Sequence, residues 1–243
     1  MSSLQGKVCI VTGAASGIGR AIARKFKAEG AELVLVDLDE KGLAKVAAQL
    51  EGAETHVLNV TDKDAVEALF DRERVDVLCN NAGILDGLTP LHEVTDALWD
   101  KVQRVNVDAP FYASRAAVQK MVTHGGGTIV NTCSAASLSG GRAGFSYTAS
   151  KHALLGMTRS IAWYYAEQGI RCNAVAPGAI QTKMHMRGVP NAAGLERYSK
   201  YFGTIPPHGK AGQVADAVAF LASDASSYIN GECIAVDGGW RAF

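Results

Sequence analysis

Short, almost continuously apolar runs return along the whole chain, separated by stretches in which apolar residues recur at helical spacing. The runs are "KVCIVT", "ELVLVD", "THVLNV", "VDVLCN", "GTIVNTCS", "IRCNAVAPG" and "ECIAVDGG". A strand with one wet face alternates apolar and polar residues, whereas one that is apolar throughout is buried on both faces. For strands separated by helices, this means a parallel sheet covered on either side. Helices are expected over 17–29, 40–50, 63–72, 97–123, 147–168 and 213–222. The repeated β-α-β order predicts an α/β, doubly wound fold. No linker, repeat or low-complexity tract breaks the pattern, so the 243 residues read as one domain, 1–243. One weakly patterned segment, 181–210, follows a strand and is expected to be a substrate lid.

Composition narrows the partners. Lysine plus arginine and aspartate plus glutamate both total 24, so the net charge is zero and no basic stripe invites nucleic acid. No apolar run reaches the ~18–20 residues that span a bilayer, and "MSSLQGK" lacks the features of a signal peptide. The expectation is a cytoplasmic protein that engages neither membrane nor nucleic acid. The cysteines, Cys9, Cys79, Cys133, Cys172 and Cys233, form no C-x-x-C pair, and no metal site is expected. All but Cys133, which precedes Ser134, read as small buried hydrophobes.

The first apolar run leads into "TGAASGIGRAIARKF", with Gly13, Gly17 and Gly19 at the start of a helix. Glycine lets the backbone turn tightly and approach a ligand, and the free N–H groups of a helix start favour an anion such as a diphosphate. Eighteen residues after Gly19, the second run ends in Asp37. A carboxylate there can accept hydrogen bonds from ribose hydroxyls and repels a 2′-phosphate. Ser16 stands before Gly17 and Leu38 follows Asp37, so neither place offers a cation for that phosphate. These features point to NAD rather than NADP.

In "SYTASKHALLGMTRSIA", Tyr147 and Lys151 are four residues apart and share a helix face. An ammonium beside a phenol favours the phenolate and is expected to pull its pKa down from ~10. Tyr147 would then be a usable acid or base. Hydride transfer from an alcohol carbon to nicotinamide leaves a hydroxyl proton that such a phenol can take.

With "TGAASGIG", "NNAG" (80–83), Asn106, Ser134, "YTASK" and "APG" (176–178) present in order, and thirteen residues from Ser134 to Tyr147, the chain closely resembles the classical short-chain dehydrogenase/reductase family. The resemblance runs from residue 7 to about 240. It implies a single Rossmann fold with a seven-stranded parallel sheet flanked by helices. It also implies a catalytic set in which Tyr147 exchanges the proton, Lys151 holds the nicotinamide ribose and lowers the tyrosine pKa, and Ser134 orients the substrate oxygen. Asn106 would help keep a water in a proton relay to Lys151. For NAD, it implies contacts from the turn (Gly13, Ser16, Gly17, Ile18, Gly19), from Asp37, and from Asn81, Ala82 and Gly83 beside the adenosine. Pro177, Gly178, Ile180 and Thr182 would complete the set at the nicotinamide. One departure concerns the adenine: where the family has an aspartate followed by a hydrophobic residue, this chain has Asn59 and Val60, and the Asn59 carbonyl is expected to accept the same hydrogen bond.

The activity so implied is interconversion of a secondary alcohol and its ketone, by a homotetramer joined through its long helices and carboxyl-terminal strand. Two rivals remain: an NADPH-dependent 3-ketoacyl reductase of fatty-acid synthesis type, against which Asp37 argues, and a non-catalytic dinucleotide-binding sensor. Arg142, Lys183 and Arg187 could give the first rival a basic mouth. The substrate walls are expected at 135–144, 85–91 and 181–202. Met184, Met186, Tyr198, Tyr201 and Phe202 suit a hydrophobic or cyclic molecule, and His185 and His208 are expected only to pack or face solvent.

Overall fold

The computed structural model describes residues 3–182, 184 and 189–242. Lys183, His185, Met186 and Arg187, singled out above, lie outside the described residues. In chain order the elements are β1 (Val8–Thr12), α1 (Gly17–Ala28), β2 (Glu32–Asp37), α2 (Glu40–Ala47), β3 (Glu54–Val57), α3 (Lys63–Leu69) and β4 (Val77–Asn80). There follow α4 (Asp96–Gln103), α5 (Ala109–Thr123), β5 (Gly127–Thr132), α6 (Phe145–Tyr164), β6 (Ile170–Pro177), α7 (Ala192–Ser199), α8 (Ala211–Ala222) and β7 (Cys233–Val236). The seven strands pair in parallel in the order β3-β2-β1-β4-β5-β6-β7. The order reverses direction between β1 and β4, and an open α/β sheet binds ligands at such a point, beyond the carboxyl ends of its strands.

The continuous apolar runs have the anticipated cause. Cys9 and Val11 of β1 join the core beneath α1 and α8, with Ile22, Phe26, Val214 and Val218, while Ile10 between them joins the opposite core with Val66, Ala117 and Met121. The edge strand β3 departs from the pattern. Glu54, Thr55 and Val57 are exposed, because an edge has a neighbour on one side only, and Arg72 pairs with Glu54 there. Among the described residues, no helix is long and apolar enough to cross a membrane.

Two helical expectations change. The stretch 97–123 is not one helix, since a π-helical turn, Arg104–Asp108, separates α4 from α5. Pro110 has no N–H to give the carbonyl of Asn106, so regular α-helical bonding cannot continue through that turn. The lid is also more regular than its sequence suggests. It contains α7, started by the Asn191 side chain, which accepts from the N–H of Gly194 at 2.9 Å, and a short 3-10 turn, Phe202–Thr204. The helix went unseen because it has no fully buried residue and hence only a faint apolar stripe. At the neck of the lid, the N–H of Gln181 donates to the carbonyl of Gly209 and that of Gly209 to Ala179, both at 2.9 Å.

Candidate active site

The strand ends and the loops that follow them enclose one cleft of about 550 Å3, inside the ~300–1,000 Å3 range of small-molecule and cofactor sites. At one end lies the glycine turn. Gly13 has φ +69°, and a side chain there would press on Asn81 at 2.9 Å; Gly17 has φ +53° and faces Thr182 across the cleft. Gly19 begins the buried face of α1, where a Cβ would overlap the Gly13 carbonyl. No side chain caps the start of α1 at Ser16, so its first N–H groups are left to the cleft, which Ser16, Gly17 and Ile18 line. An uncapped helix start behind a turn that only glycine can make fits a diphosphate.

Thr12 and Asn81 hold that turn against β4. The Thr12 hydroxyl accepts from the N–H groups of Asn81 (3.0 Å) and Ala82 (3.1 Å), and the Asn81 amide donates to the Thr12 carbonyl (3.0 Å). Asn80 points elsewhere, into a buried chain in which it donates to Ser114 and Asn131, and Asn131 to Thr158. Its part is to join β4 to α5, β5 and α6. Asp37 accepts from the turn's Ala15 at 2.9 Å and from the N–H of Asp39 at 2.9 Å. Each oxygen keeps a lone pair for a ribose hydroxyl. No lysine or arginine stands beside it among the cleft's lining residues at that end, which are Gly13, Ser16, Leu38, Leu58, Asn59 and Val60.

Asn59 differs from expectation. Its carbonyl already accepts from the N–H of Thr61 (3.1 Å) and from the Thr61 hydroxyl (2.9 Å), which fills both lone pairs. What it can offer an adenine is its NH2, a donor for a ring nitrogen and not an acceptor for the exocyclic amine.

Tyr147 and Lys151 share the inward face of α6, both buried, with the ammonium 5.7 Å from the ring centre. The expected depression of the phenol pKa is absent. Burial pushes Tyr147 up to about 12, against a smaller pull from a hydrogen bond with Ser134. Lys151 is itself lowered to about 8 by burial, and it donates to the Thr132 carbonyl at 2.8 Å. Proximity alone therefore does not make the phenolate here, because desolvation of both groups outweighs it.

These shifts set a pH dependence of stability. Between pH 8 and 10.5 the unfolded chain holds a proton on Lys151 that the folded protein has lost, so stability rises with pH across that window. Tyr147 acts oppositely: above pH 10 the folded state keeps a proton that the unfolded chain has shed, and stability falls towards 12. Urea titrations of the nucleotide-free protein should show the wild type gaining on Lys151→Met as pH rises from 8 towards 10.5, by on the order of 3 kcal/mol in full. A difference that ignores pH would mean that the amine is solvated.

Ser134, at the end of β5, lines the cleft and starts a short 3-10 turn by accepting from the N–H of Ala136 at 3.1 Å. Asn106 is buried in the π-helical turn. Its amide accepts from the N–H of Ile84 (2.9 Å) and donates to the Ile84 carbonyl (3.0 Å) and to Ser150 (3.0 Å). The side chain thus clamps the loop after β4 to α6. Asn106 still lies close to Lys151, since a Cβ at Gly83 would meet both, at 3.3 and 3.5 Å. Pro177, Gly178, Ile180 and Thr182 all line the cleft, and Gly178 lies so close to Asp237 that a Cβ would come within 2.8 Å.

Two contributors escaped the sequence reading. Asp86, buried, reaches from the loop after β4 to accept the N–H of Tyr147 at 2.9 Å, a carboxylate at the start of a helix whose own cap, Gly144, has no side chain. No motif flags it, because its partner is 61 residues away. The second is Trp240. It is buried with its ring against Arg142, in the wall of the cleft and not at a surface. Of the expected substrate walls, Leu85, Ala135, Arg142, Ala143, Met184 and Tyr198 line the cleft, whereas Leu91, Tyr201 and Phe202 are exposed. Cys9, Cys79, Cys133 and Cys172 are buried; Cys233, on the outer strand β7, is only partly so.

A family model described as enoyl-(acyl carrier protein) reductase matches residues 13–241. The chain is 38% identical to a 3beta-hydroxysteroid dehydrogenase 2 of Eggerthella lenta, across 99% of this chain and 96% of that protein. It is 39% identical to a 3-oxoacyl-[acyl-carrier-protein] reductase of Thermotoga maritima, across 97% and 98%. Among solved structures it resembles a Beutenbergia cavernae protein provisionally assigned as an NAD(P)-dependent gluconate 5-dehydrogenase and holding NADP at low occupancy. The TM-score is 0.87 at 38% identity, over 99% of each chain.

Proposed function

Because this chain belongs to the short-chain dehydrogenase/reductase family, we propose that it is an NAD-dependent oxidoreductase that interconverts a secondary alcohol and its ketone. The observation that carries this reading is the meeting of Ser134, Tyr147 and Lys151 in the same cleft as the glycine turn and Asp37. Tyr147 takes the hydroxyl proton during oxidation and returns it during reduction, and Ser134 holds the substrate oxygen beside it. Lys151 holds the ribose through its ammonium, so that the hydroxyls take over the work now done by the Thr132 carbonyl. The nicotinamide, when bound, supplies the hydride acceptor and, in its oxidised form, a positive charge that favours the phenolate. Both NH2 hydrogens of Asn106 are engaged, by Ile84 and Ser150, so what it can offer a relay water is an acceptor: the second lone pair of Oδ1, or its main-chain carbonyl, to which Pro110 has no N–H to give.

NAD is favoured over NADP by Asp37 and by the lack of a cation beside it, although the Beutenbergia protein holds NADP. The relative that acts on a hydroxysteroid agrees with an apolar, ring-shaped substrate against Leu85, Met184 and Tyr198. A homotetramer fits the exposed Trp163 and Tyr164 at the end of α6, 76% and 66% accessible. A cytoplasmic location fits the five unpaired cysteines.

The test is nicotinamide reduction across a panel of aliphatic, cyclic and aromatic secondary alcohols, with NAD and NADP in parallel. The expected result is turnover with NAD at least about tenfold more efficient than with NADP, a preference that Asp37→Ser relaxes. Preference for NADP in the wild type would overturn the cofactor assignment. NAD binding with no turnover of any alcohol would favour a sensor.

A further inference from the structure

Beyond Tyr147 the cleft carries a cation for which proton and hydride transfer have no use. Arg142 stands five residues before Tyr147, in the loop that leads from Ser134 into α6, and it shares the cleft wall with Met184, Tyr198 and Trp240. Its guanidinium lies over the Trp240 ring, 4.3 Å from the centroid, and Nη2 donates to the Trp240 carbonyl at 3.0 Å. The side chain is thus held in place and not free in solvent.

What it lacks is an acceptor of opposite charge. Among the described residues no carboxylate pairs with it. Arg142 Nε and the neighbouring Trp240 Nε1 are buried donors with no partner among those residues. Neither atom has surface that a molecule in the cleft could touch; the open donor is Nη1, and a guanidinium edge matches a carboxylate well. The cleft as a whole has the same bias. Lys101, Arg142 and Lys151 line it, and its one acidic residue, Asp37, lies at the far, nucleotide end. A single guanidinium fixed over an indole balances one negative charge, which suits a carboxylate better than a doubly charged phosphate.

We propose that the substrate is a hydroxy acid or the matching keto acid, whose carboxylate pairs with Arg142 while its carbinol carbon faces Tyr147 and Ser134. This rests on the oxidoreductase reading above. The carboxylate takes no part in the chemistry; it fixes the end of the molecule remote from the reacting carbon, against Trp240 and Tyr198.

The experiment compares hydroxy acids, including 3-hydroxybutyrate and 4-hydroxycyclohexanecarboxylate, each with its neutral methyl ester, in wild type, Arg142→Met and Arg142→Lys with NAD. The wild type should prefer the acid of at least one pair by about tenfold or more in kcat/KM, chiefly through KM. Arg142→Met should lower kcat/KM for that acid by about 10- to 100-fold and for its ester far less, with partial recovery in Arg142→Lys. Cyclohexanecarboxylate should raise the Tm of the NAD-saturated wild type and not that of Arg142→Met. Equal losses on acid and ester would overturn the proposal, reducing Arg142 to a clamp on the carboxyl-terminal segment. So would esters preferred by the wild type, or no Tm shift with the carboxylate. Turnover of neutral alcohols that depends on Tyr147 would show that only this proposal had failed, and its absence would count against the oxidoreductase reading itself.

Discussion

Tyr147→Phe turns over secondary alcohols about 10²–10⁴-fold more slowly than the wild type, with NAD affinity within about twofold. The substitution removes one oxygen and leaves the ring, which is 8% exposed, packed where it was. The lost group is the only phenol on the inward face of α6 beside Lys151, and the hydroxyl of Ser134 is too weak an acid or base to replace it. A loss of this size is about 3–5 kcal/mol of barrier. Stopped-flow hydride transfer and nucleotide titration by fluorescence separate the two quantities. Wild-type turnover would end the assignment of Tyr147 as the proton-transfer group, and a parallel loss of NAD binding would make the tyrosine a cofactor contact first.

Gly19→Ala disables the protein from the other end of the cleft. A methyl group there overlaps the main-chain carbonyl of Gly13 and presses on the Asn81 amide, and neither can yield without opening the turn that Thr12 and Asn81 hold. Backbone cannot rotate aside as a flexible side chain can, so overpacking costs about 1–3 kcal/mol or more. The same distortion spoils the cradle offered to a diphosphate, and NAD affinity should drop by more than about tenfold. Urea denaturation and calorimetric titration with NAD measure both. Wild-type midpoint and affinity together would mean that the glycine is a matter of helix propensity alone.

A good part of this molecule was legible beforehand because its signals are local. The unbroken apolar runs announced strands buried on both faces, and β1 delivers alternate residues to opposite cores. The glycines of the first turn stand where a positive φ, at Gly13 and Gly17, or a close backbone contact, at Gly19, excludes a side chain. The Tyr147 and Lys151 pair shares a face because four residues make about one turn of helix. Features at the limits of these signals were missed. The faint stripe of α7 and the exposure of β3, whose run was read as a strand buried on both faces, depend on neighbours that a window of sequence does not contain, while the π-helical turn follows from the N–H that Pro110 lacks.

The sequence by itself determined the doubly wound sheet, the glycine turn and the aspartate at the end of β2, and it singled out Ser134, Tyr147 and Lys151, which meet in the cleft. Their state was decided only by tertiary structure. Burial reverses the tyrosine shift that spacing predicts, because desolvation depends on every atom that excludes water and not on one neighbour. Contacts across 61 residues place Asp86 under the start of α6, and contacts across 98 set Arg142 on Trp240. Such pairings follow from the path of the whole chain, since a hydrogen bond forms between groups that the fold brings together regardless of how far apart they lie in sequence.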